Sequence, residues 1–106
     1  MVFVETPIFT AQIVELLSDD DYGAFQRDLA NHPKAGDIVK ETGGLRKIRV
    51  AAKSHGKSGG ARVIYYHFAS ASRIAMIFAY PKNEQADLTP AQKSALKKVI
   101  ETWRQP

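Results

Sequence analysis

Apolar residues recur at helical spacing in the first third of the chain, after a short β-prone start at Val2 to Val4. Thr6 followed by Pro7 predicts a helix N-cap and first helical residue, because proline lacks the N–H that this position leaves unpaired. Ser18 predicts a second N-cap with carboxylates in the first turn, and Pro33 ends that helix. The predicted buried stripes of these two helices are Phe9, Ile13, Leu16, Leu17, Tyr22, Phe25 and Leu29.

The pattern changes to a period of two from Leu45 to Lys53, which predicts a strand. This alternation places Lys47 and Arg49 on one largely cationic face. The glycine-rich segment 54–60 predicts a flexible hairpin connection. Two more strands are expected, and the second is apolar on both faces, as in the interior of a sheet. They span Arg62 to Phe68 and Ile74 to Tyr80, so the three strands form an antiparallel meander.

A third helix is predicted near the end of the chain, where Thr89, Pro90 and Gln92 form a capping box with proline at the first helical position. Its predicted apolar face consists of Ala95, Leu96, Val99, Ile100 and Trp103. The expected fold class is α+β, with two N-terminal helices, an antiparallel β-meander sheet and a C-terminal helix. At 106 residues, the chain can bury one core, so residues 1–106 are expected to form a single domain.

Charge is segregated along the chain. Fifteen lysines and arginines against eleven acids give a net charge of +4, and residues 43–66 contain no acid. Because each phosphate that a cation neutralises releases condensed counterions, such a segment indicates a surface for a polyanion. The alternative is an ordinary solvated face. The cations of this segment are Arg46, Lys47, Arg49, Lys53, Lys57 and Arg62.

Several classes of function have no support in the sequence. The absence of cysteine excludes a disulfide framework, a thiolate nucleophile and a cysteine zinc site, and it fits a cytoplasmic protein. The three histidines are too scattered to suggest a metal site. The longest apolar run, Ile74 to Ala79, is far short of a membrane span, and the N-terminus lacks the features of a signal peptide. No phosphate-binding loop, dinucleotide fingerprint or hydrolase motif occurs.

The basic strands suit RNA cleavage by the neighbouring 2′-hydroxyl, since that reaction accumulates negative charge on phosphorus and needs no cofactor. If the strand with Lys47 and Arg49 pairs with the strand with Arg62, their side chains can converge on one phosphate. Aromatic side chains of the latter strand could stack on bases or could instead fill the core. The candidate acids and bases, among which the sequence does not choose, are His55, His67, Tyr65, Tyr80 and a lysine of lowered pKa.

A longer resemblance covers these residues. The stretch Gly43 to Tyr66, which reads GGLRKIRVAAKSHGKSGGARVIYY, resembles the hallmark segment of HigB-like toxins in the RelE/ParE superfamily. The similarity continues upstream through NHPKAGDIVKETGG and downstream through AYPKNEQADLTPAQKSAL. It therefore extends over essentially the whole chain, and the combination is more specific than any one motif.

The resemblance implies a catalytic site. Lys47 and Arg49 match the paired basic residues of the family's strand, and Arg62 matches the arginine that opens the next strand. Lys82 matches a lysine after the last strand, but the neutral Asn83 stands where RelE has a catalytic arginine. RelE also has a tyrosine near the start of its final helix, where this chain has Leu88 and Thr89, so we expect that either Tyr80 or Tyr65 substitutes for it or groups of the ribosome complete the chemistry. The residues expected to contact RNA are Arg46, Lys53, His55, Lys57 and Tyr65.

The resemblance also implies partners and an activity. It implies a ribonuclease that occupies the ribosomal A site, cleaves messenger RNA there and is held inactive by a cognate antitoxin, expected to be HigA-like with a helix-turn-helix. No metal, other cofactor or membrane is expected to take part. Two alternatives are a ParE-like toxin that inhibits a topoisomerase and a noncatalytic module that binds RNA or only an antitoxin.

Overall fold

The computed structural model describes residues 1–51 and 60–104. These residues fold into three α-helices and one five-stranded sheet, which confirms the α+β prediction. Lys53, His55 and Lys57, which were expected to contact RNA, lie outside the described residues. The elements are β1 (Val2–Glu5), α1 (Pro7–Leu16), α2 (Asp19–Asn31), β2 (Asp37–Ile38), β3 (Arg46–Val50), β4 (Ala61–Phe68), a 3₁₀ turn (Ala69–Ala71), β5 (Arg73–Pro81) and α3 (Pro90–Arg104).

The helices begin at the predicted caps. The Thr6 hydroxyl accepts a hydrogen bond from the amide of Phe9 at 3.1 Å, and Ser18 caps α2 in the same way. At α3, the Thr89 hydroxyl accepts from the amide of Gln92 at 3.1 Å, and the Gln92 side chain accepts from the amide of Thr89 at 2.9 Å. Each cap satisfies backbone donors that the first helical turn leaves without partners.

The strand order is β1-β5-β4-β3-β2. Strands β3, β4 and β5 form the predicted antiparallel meander. The sheet is mixed, however, because β1 returns to pair in parallel with β5, with Val2 opposite Arg73. The short strand β2 pairs antiparallel with β3 and was not predicted.

Both faces of the sheet are covered. One face packs on α1 and α2 through residues that include Phe9, Leu29 and Val63. The other face packs on α3 and the segment before it through residues that include Ile64, Leu88 and Ile100. We call these the α1/α2 face and the α3 face. The predicted apolar face of α3 is only partly correct, because Ala95 and Trp103 are exposed.

Candidate active site on the α3 face

Strand register brings the predicted catalytic cations together. Arg49 on β3 is directly opposite Arg62 on β4, and Arg62 is directly opposite Tyr80 on β5. Lys47 lies two residues before Arg49 on β3, on the same face of the strand, and is directly opposite Ile64. Directly opposed residues have Cβ atoms about 4.5–5.5 Å apart, so these side chains can reach a common ligand. We call Lys47, Arg49, Arg62 and Tyr80 the Arg62 site.

The alternation along each strand explains why these four side chains share the α3 face. Val50 and Val63 belong to the α1/α2 core, so their sequence neighbours Arg49 and Arg62 point the other way. Arg49 is exposed, whereas Arg62 and Tyr80 are buried. The site therefore combines an accessible cation with two polar groups at the base of the sheet surface.

Arg62 and Tyr80 are 8% and 3% exposed, respectively. Within the part of the chain that the structure describes, neither Nη1 of Arg62 nor the phenolic oxygen of Tyr80 has a hydrogen-bond partner. Buried polar groups are normally paired, since an unsatisfied donor costs about 1–3 kcal/mol. Because both atoms are buried, a phosphate accepts hydrogen bonds from them only after the groups that cover them move.

The phenol of Tyr80 is held in its neutral form. Burial raises the pKa of Tyr80, the carboxylate of Asp87 raises this pKa further, and the guanidinium of Arg62 acts in the opposite direction. A neutral phenol at pH 7 can donate a proton or a hydrogen bond. Tyr80 is therefore suited to the role of general acid and unsuited to that of general base.

Asp87 lies beside the Arg62 site, and the sequence analysis gave it no role. Its Oδ1 accepts a hydrogen bond from the amide of Leu88 at 2.8 Å and forms an ion pair with Nζ of Lys47 at 3.1 Å. The Leu88 amide and then Lys47 lower the pKa of Asp87. The available signal was an aspartate shortly before a helix start, where short carboxylates commonly bond to nearby backbone amides.

Two residues that were expected to contact RNA lie on the opposite face. Tyr65 is fully buried, and its hydroxyl donates to the carbonyl of Pro33 at 2.8 Å and accepts from the amide of Gly36 at 2.9 Å. Nη1 of Arg46 donates to the carbonyl of Gly36 at 2.7 Å. The expectation for Tyr65 is therefore corrected, because its ring is part of the α1/α2 core, and both side chains serve to fix the segment before β2.

The other candidates are distributed differently. His67 shares the α1/α2 side with Arg46, and burial, Lys34 and Arg46 lower its pKa, so it is remote from the Arg62 site. Lys82 is exposed in the turn after β5, two residues beyond Tyr80, and Asn83 next to it is exposed as well. Among the predicted catalytic residues, register thus joins Lys47, Arg49, Arg62 and Tyr80, whereas Lys82 stands at their margin.

Other kinds of site find no support in residues 1–51 and 60–104. No group of three histidine, aspartate or glutamate side chains there is arranged to hold a metal ion. No helix in the same ranges combines the length and apolar character that a membrane span requires.

The sequence of the chain also matches a known protein family. The model of a protein family described as the RelE toxin of the RelE/RelB toxin-antitoxin system matches residues 30–105. The chain belongs to the RelE toxin family. The match includes β3, β4 and β5 and therefore all four residues of the Arg62 site. This RelE-family protein is accordingly a toxin whose system includes an antitoxin partner, which confirms the resemblance at the level of the superfamily.

Proposed function

We propose that this RelE-family toxin is a HigB-like endoribonuclease that cleaves messenger RNA on the ribosome and so inhibits translation. The observation that supports this function best is the cross-strand row of Arg49, Arg62 and Tyr80, in which two buried polar atoms have no hydrogen-bond partner among the residues that the structure describes. A phosphate of single-stranded RNA has the charge and the acceptor oxygens that these groups require. The expected surroundings are the cytoplasm and the ribosomal A site.

The reaction follows from the chemistry of RNA. The 2′-oxygen forms a bond to the adjacent phosphorus while the bond from phosphorus to the 5′-oxygen breaks, which leaves a 2′,3′-cyclic phosphate and a 5′-hydroxyl. Arg49 and Arg62 stabilise the charge that accumulates on the phosphate oxygens. Lys47 adds a third positive charge, and Lys82 is the further cation expected to approach the strand.

Two protons move in this reaction. Tyr80, as a neutral buried phenol, protonates the departing 5′-oxygen. A base must accept the proton of the 2′-hydroxyl, and the candidates are His55, a lysine or a group of the ribosome. His55 belongs to the segment outside the described residues, so the base stays open in this proposal.

The antitoxin partner is proposed to be HigA-like with a helix-turn-helix. Its inhibitory segment either covers the basic surface or keeps the toxin from the ribosome by its bulk. RNA contacts from Lys53 and Lys57 complete the proposed interaction, whereas Arg46 is bonded to the carbonyl of Gly36 on the other face of the sheet and is not part of it.

Mapping messenger RNA ends after induced expression tests this function. New ends are expected with the wild-type toxin and not with Arg62→Met, provided that circular dichroism shows this variant to be folded. A ParE-like topoisomerase inhibitor would instead cause DNA damage without new RNA ends, and a noncatalytic binder would produce neither. Either of those two results would contradict the proposed ribonuclease.

A further inference from the structure

A cleft lies next to the Arg62 site, at the β2 edge of the sheet. It has a volume of about 260 Å³, slightly below the roughly 300–1,000 Å³ typical of small-molecule sites. The cleft is open to solvent on one side, so it can hold one nucleotide of a strand that continues along the surface. The lining residues are Asp37, Ile38, Val39, Lys40, Lys47, Asp87 and Lys93.

The charged side chains in this cleft differ in whether they have partners among the described residues. The carboxylate of Asp87 is bound to Lys47 and to the amide of Leu88. Lys40, after β2, and Lys93, in the first turns of α3, form no ion pair with any residue that the structure describes, and Lys93 acts on Asp87 only from a longer distance, at which it still lowers the pKa of that carboxylate. Their ammonium groups are therefore available to an anion, which the carboxylate of Asp37, directly opposite Lys47 in the sheet, would repel towards the two lysines.

Lys47 connects the cleft with the Arg62 site. It lines the cleft, and it stands on β3 two residues before Arg49, on the same face. An ammonium group has three N–H donors, and Asp87 occupies one of them. The other two can bind phosphate oxygens, so a strand that has one phosphate at Arg62 can continue past Lys47 into the cleft.

We propose that this cleft is a second nucleotide subsite, in which Lys40 and Lys93 bind the phosphate that neighbours the one held at the Arg62 site. The proposal rests on RNA binding at the Arg62 site. Continuity through Lys47 favours an RNA strand over an acidic peptide, because the two anion positions are joined by one cation and not separated by apolar surface.

Binding of short 2′-deoxy oligonucleotides tests the subsite without cleavage, since these probes lack the attacking hydroxyl. A dinucleotide with one phosphate and a trinucleotide with two phosphates are titrated into the full-length toxin at several salt concentrations. The double variant Lys40→Ala/Lys93→Ala is compared with a matched control, Lys97→Ala/Lys98→Ala, which removes two exposed lysines of α3 that do not line the cleft.

The expected result is selective. Lys40→Ala/Lys93→Ala weakens trinucleotide binding about ten-fold, the size of one charge-assisted contact. It also lowers the slope of log affinity against log salt by about 0.7, the value for one phosphate of a single strand. Dinucleotide binding is unchanged, and the control variant changes neither probe.

Equal weakening of both probes would overturn the subsite, because it would show a general loss of positive charge. Unchanged trinucleotide binding would overturn it as well. If the selective pattern is observed but the wild-type toxin makes no new RNA ends on ribosomes, the subsite stands and the ribonuclease proposal fails. The two proposals can therefore fail separately.

Discussion

Replacing Arg62 by methionine should stabilise the fold while it removes the activity. Arg62 is 8% exposed, and its Nη1 has no partner among the described residues. An unsatisfied buried donor costs about 1–3 kcal/mol, and methionine keeps an unbranched apolar stem of similar course. We therefore expect the free energy of unfolding to rise by about 1–3 kcal/mol.

This gain is large enough to measure by thermal unfolding. For a domain of about 100 residues, 1 kcal/mol shifts Tm by about 4–8 °C, so Arg62→Met should melt at least about 4 °C above the wild type. Its cleavage of messenger RNA on ribosomes should fall by about 100-fold or more, as expected when one preorganised donor to the reacting group is lost. Circular dichroism and mapping of RNA ends provide the two readouts.

Arg73→Met is the matched control. Arg73 is an exposed arginine at the far end of β5, and its guanidinium carbon lies 5.3 Å from the centre of the Phe68 ring. Its loss should cost at most about 1 kcal/mol of stability and leave cleavage unchanged. A lower Tm for Arg62→Met would refute the idea that Nη1 of Arg62 lacks a partner at a cost in stability, and full activity of that variant would refute the assignment of Arg62 to the site.

Three further changes have defined outcomes. Tyr80→Phe removes a buried hydroxyl without a described partner, so stability should be unchanged or higher by about 1 kcal/mol while single-turnover cleavage falls. Asp87→Asn removes a negative charge from the cleft, so it should strengthen binding of the 2′-deoxy trinucleotide. The folded-state pKa of Asp87 is lowered. The wild type should therefore lose stability relative to this variant as pH falls through that pKa, which urea unfolding at several pH values would measure. Thr89→Ala should cost about 1 kcal/mol through loss of the α3 cap, against almost no change for Thr102→Ala within the helix; equal urea midpoints would contradict the capping argument.

Helix boundaries could be predicted because their causes are local. Thr6, Ser18 and Thr89 each bond to an amide three residues ahead, so a short window of sequence contains both partners. The apolar side of helix α3 was harder to predict from a short window of sequence. Ala95 follows the helical period but is exposed, because only the curved surface of the sheet determines how much of the helix it covers.

The residues of the candidate site also differ in how far the sequence could predict them. Alternation alone put Lys47 and Arg49 on one face of a strand, and the identity of Arg62 was visible from the sequence. Whether Arg62 and Tyr80 would share that face depended on the pairing of three strands. Tyr65 is an example. Its position on the strand was compatible both with stacking on RNA and with packing in the core. Its hydrogen bonds with Pro33 and Gly36 place it in the core.

The helix starts, the strand periodicity and the basic character of the middle segment could be predicted from the sequence, because these properties depend on residues within a few positions of one another. The folded structure was needed to find the parallel return of β1 to β5, the burial of Nη1 of Arg62 without a described partner and the ion pair of Lys47 with Asp87. These features join residues up to 71 positions apart, as between Val2 and Arg73. Such contacts form only when closure of the whole core outweighs the loss of chain entropy, and no local pattern records them.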